Sequence, residues 1–129
     1  MSAIVKTWPA FIGAEKVLQV FTHEWGSFYF TLGRGRPQKY VDTIFFTHQG
    51  RLLGHFEVAV IIQNVGQLPK LRSLSDVESQ WQIKAGAWVA VCQPPFHRLT
   101  EKLYHEGFRG WRYFDLDAHR RAIDSKVRL

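Results

Sequence analysis

The sequence predicts an α+β fold, namely a small, mixed but mostly antiparallel pseudo-β-barrel with two or three short helices. About five to seven short segments are rich in β-branched and aromatic residues and are separated by turn residues. These segments do not alternate regularly with helical ones, which argues against a doubly wound parallel sheet. The chain has 129 residues, the size of one domain, so we expect a single domain over residues 1–129. Short strands linked by hairpins favour a partly closed barrel with helices at its side and ends.

The first third of the chain predicts a strand, a helix and a second strand. Residues 4–8 are a short strand candidate that Pro9 closes. Residues 13–21 place apolar side chains at helical spacing, and residues 27–32 (SFYFTL) are aromatic and β-branched. Residues 33–37 (GRGRP) then predict a flexible basic loop.

The clearest local pattern is a β-hairpin in the middle of the chain. Residues 41–48 (VDTIFFTH) and residues 51–64 (RLLGHFEVAVIIQN) are both strand-like. Gln49 and Gly50 lie between them, and the glycine supplies the positive φ that a tight hairpin turn needs. Apolar and polar residues alternate in the first part of the second strand, which indicates a half-buried strand.

After the hairpin the sequence predicts a polar loop and then another strand region. The loop covers residues 66–79, with one helical turn at residues 74–78. Residues 81–93 (WQIKAGAWVAVCQ) predict a strand pair, or one strand that bends at Ala85-Gly86. We expect Pro94-Pro95 to end this strand, because proline cannot donate a hydrogen bond to the ladder.

The last third predicts one more strand and a C-terminal helix. Residues 96–104 are a loop or a short helix, and residues 111–114 (WRYF) are a strand candidate. Asp115 or Asp117 is expected to cap a helix that covers residues 118–126.

Charge and aromatic content point to an anionic partner. Lys and Arg number 17 against 11 Asp and Glu, so the formal net charge is +6, and aromatic residues make up 15% of the chain. A small basic domain rich in aromatic residues favours nucleic acid as the partner. The hydrophobic content of 46% excludes a disordered chain. Disordered chains have fewer apolar side chains, and burying them cannot offset the entropy lost on folding.

Cysteine content and hydropathy give an expectation about compartment. Cys92 is the single cysteine, which excludes an intrachain disulfide and a Cys-based zinc site, and we expect it to be a buried small hydrophobe. The first residues do not read as a signal peptide, and no apolar run approaches the roughly 18 residues of a membrane span. We therefore expect a soluble cytoplasmic protein, or a nuclear one if the source is eukaryotic, with no membrane partner.

The order of these elements resembles the PUA-like superfamily, which includes the PUA, ASCH, EVE and YTH domains. The resemblance rests on an early strand and helix, the hairpin VDTIFFTHQGRLLGHFEV, the strand GAWVAVCQPP and the late segment FRGWRYFDL before a helix. It covers roughly residues 4–123. It implies a pseudobarrel that binds RNA or DNA and, in the EVE and YTH branches, an aromatic-lined pocket for a modified base. The G-x-K-x-x-E-x-R motif of ASCH domains is not matched by GRGRPQKYVDT, which lacks the glutamate and the spacing.

Basic residues next to aromatic ones form three candidate contacts to nucleic acid: the 34–40 loop, the segment after Pro94-Pro95, and the last strand with the turn before it. Arginine and lysine neutralise phosphates, and aromatic side chains stack on unpaired bases. For each segment the alternative is structural: a solvated loop, a plain strand terminator, and a strand with one face in the core. The predicted contact residues are Trp25, Arg34, Arg36, Lys39, Tyr40, His97, Arg98, Arg109 and Arg112.

We expect a non-enzymatic nucleic-acid-binding module, with RNA favoured over DNA as the partner. It would read single-stranded or flipped-base nucleic acid, and a modified base only by resemblance. One alternative is a small nuclease or a hydrolase of a modified nucleoside. Its catalytic set would be Lys39 as base, Thr43 or Thr47 as nucleophile and Glu57 as acid. A second alternative is a protein-interaction module.

A metal site has little support in the spacing of the histidines, which shows neither H-x-H nor H-x-x-x-H. His55 and Glu57 share one face of a predicted strand, and His48 across the turn would complete a His-His-carboxylate set. A surface or hydrogen-bonded pair is the commoner outcome for such residues, so we expect no metal and no cofactor.

Overall fold

Seven strands form one mixed sheet in the computed structural model, which describes residues 2–7, 28–33, 35–65, 72–73 and 86–127. The sheet curls into half a barrel, with the strand order β5-β2-β6-β4-β3-β1-β7. The strands are β1 (Ala3–Thr7), β2 (Phe28–Gly33), β3 (Thr43–His48), β4 (Arg51–Gln63), β5 (Arg72–Ser73), β6 (Trp88–Arg98) and β7 (Trp111–Phe114), and the helix α1 covers Leu116–Val127.

Most neighbouring strands of this sheet are antiparallel. β1 pairs with β3, and β2 with β5, in parallel orientation, whereas the other four pairs are antiparallel. The prediction of a small, mixed, mostly antiparallel and partly closed sheet is therefore confirmed. The expectation of two or three helices is not matched, because the described part of the chain holds one. The predicted helix at 13–21 and the helical turn at 74–78 lie outside the described residues.

The predicted hairpin is confirmed as the pair β3 and β4. Both turn residues have positive φ, 50° at Gln49 and 81° at Gly50. Two consecutive positive φ angles are typical of the type I′ turn, whose twist matches that of the flanking strands. Glycine adopts this conformation without strain, so the local sequence determines where the hairpin turns.

Alternating side chains of β3 divide the interior into two cores, because successive residues of a strand point to opposite faces. The first core lies on the face of Phe46 and includes Phe30 and Phe56, whose rings lie 4.6 and 6.3 Å from that of Phe46. The second core lies on the face of Phe45, where α1 and the chain before β7 cover it. Its members are Ala3, Val5, Phe45, Leu52 and Leu103, against which Leu99, Phe108, Phe114, Leu116 and Ile123 pack.

β6 continues through Pro94-Pro95 to Arg98, so the expectation that these prolines end the strand is wrong. The register shifts here, because residues 94–96 of β6 face Phe56 alone on β4. Such a bulge leaves residues outside the hydrogen-bonded ladder, and proline is tolerated at positions where no N–H is required.

Gly54 of β4 makes room for this bulge. A Cβ atom placed on Gly54 would lie 2.2 Å from the carbonyl oxygen of His97 and 2.7 Å from Cζ of Phe96. The absence of a side chain therefore lets β6 approach β4 closely at this point. The close approach carries the Phe96 ring to 5.2 Å from that of Phe56, at the edge of the first core.

The predicted C-terminal helix is confirmed as α1, and Asp115 is its N-cap. The Asp115 carboxylate accepts a hydrogen bond from the backbone N–H of Ala118 at 3.1 Å. Leu116 and Ile123, seven residues apart, pack on the second core. At the outer side of the helix Arg120 forms an ion pair with Glu101. The prediction of a loop or a short helix over residues 96–104 is wrong for residues 96–98, which belong to β6, and residues 99–104 are not helical.

No helix in the described ranges is long and apolar enough to cross a membrane.

Candidate nucleic-acid interface

The described part of the basic loop, residues 35–40, is held against β7 by three hydrogen bonds. The indole Nε1–H of Trp111 donates to the carbonyl oxygen of Gly35 at 3.0 Å. The backbone N–H groups of Gln38 and Lys39 both donate to the phenol oxygen of Tyr113, at 2.8 and 3.1 Å. Two segments that the sequence marked separately as candidate contacts are therefore adjacent in the structure.

Two cations of this loop lie over aromatic rings. The Arg36 guanidinium carbon is 5.3 Å from the centroid of the Trp88 ring, at the start of β6. The Lys39 ammonium is 5.1 Å from the centroid of the Tyr113 ring on β7. Such cation–π contacts hold a charge in place without neutralising it. Both side chains are exposed, and neither forms an ion pair with another residue of the described ranges.

Aromatic side chains lie beside these cations. Tyr40 follows Lys39 directly and has 79% of its surface exposed. Trp111 and Tyr113 lie edge to face, with ring centroids 5.1 Å apart. We call this region the loop–β7 surface; its residues are Arg36, Lys39, Tyr40, Trp88, Trp111 and Tyr113.

Lys6 is a further cation next to this surface, and the sequence analysis did not select it. It lies on β1 directly opposite Trp111, on the face of the first core, where burial lowers the pKa of its ammonium group. The sequence could have indicated Lys6 through its position between Val5 and Thr7 in an apolar strand, since lysine rarely occupies a core-facing position.

Arg109 and Arg112 lie at β7 but not on the loop–β7 surface. Arg112 alternates with Trp111 and Tyr113 along the strand, and its guanidinium carbon is 4.4 Å from the centroid of the Phe108 ring. Arg109 is exposed in the turn before β7. The structure thus places these two predicted contacts at the same edge strand, with Arg112 on its opposite face.

His97 and Arg98 lie elsewhere, at the end of β6. The His97 ring stacks on that of His55, with centroids 4.8 Å apart, and Arg98 is exposed opposite Gly54. In sheet order three strands separate β6 from β7. Among the described residues, no hydrogen bond, ion pair or ring contact joins His97 or Arg98 to the loop–β7 surface, whereas Trp88 at the start of the same strand contacts Arg36.

The structure brings part of the alternative catalytic set together, because Thr43 lies directly opposite Glu57, whereas Thr47 does not. Thr47 is fully buried, and its hydroxyl lies within hydrogen-bonding distance of the carbonyl oxygens of Arg51 (3.2 Å) and His105 (2.9 Å). Glu57 is exposed and pairs with Thr43, which is four residues from Thr47, or roughly 13 Å along a strand. The Thr43 hydroxyl donates to the neighbouring Asp42 carboxylate at 2.9 Å. Lys39 lies in the loop against β7.

The histidines considered for metal binding have other neighbours. His48 is buried at the turn end of β3, opposite Arg51, whereas His55 packs between Phe45 and His97. Within the described residues, no group of three histidine, cysteine or acidic side chains is arranged to hold a metal ion. Cys92 is fully buried, as expected, and burial raises the pKa of its thiol.

Two of the predicted contacts, Trp25 and Arg34, lie outside the described residues. Comparison of this chain with protein-family models, with curated proteins and with solved structures found no match.

Proposed function

We propose that this protein is a non-enzymatic, cytoplasmic nucleic-acid-binding module of the PUA-like type, formed by residues 1–129 as one domain. Its partner is single-stranded or flipped-base nucleic acid, with RNA favoured over DNA. The observation that supports this proposal best is the loop–β7 surface, where two exposed cations and an exposed tyrosine are adjacent.

The chemistry of this surface suits a single strand. The guanidinium of Arg36 and the ammonium of Lys39 supply positive charge for phosphates, and the phenol ring of Tyr40 offers a face on which a base can stack. Because aromatic rings hold both cations, binding orders fewer free side-chain rotamers than it would for two unsupported chains. Lys6 adds a partly buried positive charge next to Trp111.

Salt-dependent binding is the first test of this proposal. Fluorescence anisotropy would follow an oligouridylate of about 12 nucleotides, the matching DNA and an RNA duplex, from about 50 to about 300 mM salt. We expect the single-stranded RNA to bind most tightly, with log K falling linearly against log salt. Affinity that stays flat over this range would contradict the electrostatic part of the proposal.

Charge-removing variants locate the interface. For a single strand each phosphate contact contributes about 0.7 to the salt slope, so Arg36→Gln and Lys39→Gln should each reduce the slope by about that amount. Tyr40→Ala should lower affinity by about 1–3 kcal/mol with the slope unchanged. Lys102→Gln is the matched control, because Lys102 is also exposed but lies outside the loop–β7 surface. An equal effect of Lys102→Gln would mean that binding is diffuse.

The resemblance to EVE and YTH domains extends the proposal to a modified base. Mass spectrometry of the nucleosides released from the freshly purified protein would identify such a base, and recovery of unmodified nucleosides alone would remove this part.

A further inference from the structure

The phenol oxygen of Tyr113 accepts two hydrogen bonds from consecutive backbone amides. Gln38 N–H donates at 2.8 Å and Lys39 N–H at 3.1 Å. A hydroxyl oxygen has two acceptor positions and one hydrogen to donate. With both acceptor positions used by amides, Tyr113 is left with its O–H as a donor.

This hydroxyl hydrogen has no acceptor among the described residues, and 43% of the Tyr113 side chain is exposed. The ammonium of Lys39 lies 5.1 Å from the centroid of the same ring, and an ammonium cannot accept a hydrogen bond. A molecule that approaches the phenol oxygen from solvent therefore meets two kinds of donor, a neutral O–H and a positive N–H. That combination matches an anion with more than one oxygen, such as a phosphodiester.

The two amides also strengthen the hydroxyl as a donor. Hydrogen bonds in a chain polarise one another, so accepting from two N–H groups increases the partial positive charge on the hydroxyl hydrogen. The same amides fix the position of the oxygen, because Trp111 and Tyr113 together hold the loop at both ends.

We propose that the Tyr113 hydroxyl donates a hydrogen bond to a non-bridging phosphate oxygen of the bound strand, and that the Lys39 ammonium contacts the same phosphate. The inference rests on the proposed function and adds to it a neutral phosphate contact that the sequence analysis did not select. No proton is transferred and no bond is made or broken in this contact.

Tyr113→Phe is the first variant, measured on the full chain with the same oligouridylate and salt range. A hydrogen bond to a charged group corresponds to a loss of about tenfold or more in affinity. The salt slope should stay that of the wild type, because a neutral donor releases no counterion. Lys39→Gln should instead reduce the slope by about 0.7. The double variant should lose less binding free energy than the sum of the losses in the two single variants, because both groups contact one phosphate.

The slope separates this contact from a purely structural role of Tyr113. If the hydroxyl only holds the loop, Tyr113→Phe displaces Lys39, while Arg36 keeps its contact with Trp88, and the slope falls by about 0.7. That result would overturn the proposal, and so would an unchanged affinity.

A neutral-linkage scan tests the proposal without a Tyr113 variant, in case that variant does not fold. Oligouridylates with one methylphosphonate at successive positions would be bound to the wild type and to Lys39→Gln. At one linkage the neutral group should weaken wild-type binding most. Lys39→Gln should retain part of that loss, because the methyl group replaces one non-bridging oxygen and leaves the other uncharged, which weakens or removes the acceptor of the Tyr113 O–H. A linkage that becomes harmless once Lys39 is replaced would show that no second donor contacts it.

The two proposals fail in different ways. A wild-type protein with no salt-dependent binding to any of the oligonucleotides contradicts the proposed function. Salt-dependent binding that Tyr113→Phe leaves unchanged contradicts only the role of the hydroxyl.

Discussion

The imidazole rings of His55 and His97 stack across β4 and β6, with centroids 4.8 Å apart and planes inclined by 21°. The other face of the His55 ring lies toward Phe45, at 4.9 Å. The Nδ1 atom of His55 is buried without a hydrogen-bond partner. Burial, and then the neighbouring His97, lower the pKa of His55, while Glu57 opposes them in part. The folded protein therefore favours the neutral form of His55.

Acid should destabilise the protein through this pair. The folded pKa of His55 lies below the ordinary value of 6.5, so the unfolded chain takes up its proton first as the pH falls. The stabilisation that comes from the lowered pKa of His55 is complete above about pH 6.5 and decreases as the pH falls below that value. His105, whose pKa burial also lowers, acts in the same direction.

Urea unfolding from about pH 8 to about pH 5 would measure this loss. His55→Phe should remove part of it, and His97→Gln a smaller part, because burial of His55 remains. A pH dependence that is identical in His55→Phe and the wild type would contradict the assignment to His55.

Gly54→Ala should strongly destabilise the protein. The new Cβ would lie 2.2 Å from the carbonyl oxygen of His97 and 3.0 Å from Cα of Arg98, and backbone atoms cannot move aside cheaply. We expect a loss of about 2 kcal/mol or more in the free energy of unfolding, measured with urea. Gly35→Ala is the control, because a Cβ there meets nothing within 4 Å. Similar losses in both variants would mean that the contact between β4 and the β6 bulge is not tight.

Thr47→Val should lower the free energy of unfolding by about 1–3 kcal/mol, since the carbonyls of Arg51 and His105 would lose their buried hydroxyl partner. Thr47→Ser keeps the hydroxyl and should recover most of this loss. Thr100→Val, at an exposed position, controls for the substitution itself. An unchanged free energy of unfolding in Thr47→Val would show that the hydroxyl does not hold the chain before β7 in place.

Asp115→Ala should destabilise α1, because the N–H of Ala118 loses its cap. The expected loss is about 1 kcal/mol, and Asp115→Asn should restore most of it, since asparagine caps equally well. Asp117→Ala is the comparison in the same first turn, where only the interaction with the helix dipole and Arg120 is lost. Thermal unfolding would measure all three, and equal effects at 115 and 117 would contradict the cap.

The features that sequence reasoning located correctly depend on neighbouring residues. The turn of the hairpin follows from Gln49 and Gly50, and the start of α1 follows from Asp115 three residues before the N–H that it caps. A few neighbouring residues determine each of these two features, so a local sequence pattern is enough to predict them.

The features that it missed depend on residues far apart in the chain. Pro94-Pro95 continue a strand only because Gly54, forty residues earlier, gives the bulge room. The buried hydroxyl of Thr47 meets a carbonyl 58 residues away. The contacts of Lys39 and Gln38 with Tyr113 span 74 and 75 residues. Composition marks both segments as basic and aromatic, but only the sheet order brings them together.

Because β1 lies between β3 and β7, we expect the strands to join the sheet in a definite order during folding. β7 joins the sheet only through β1, with Ala3 opposite Phe114, and closing so long a loop is entropically slow. The ladder of β3, β4 and β6 involves shorter separations and can form earlier. A nascent chain that ends before residue 111 lacks both side chains that hold the basic loop, so the complete loop–β7 surface forms only after β7 has been synthesised and has joined the sheet.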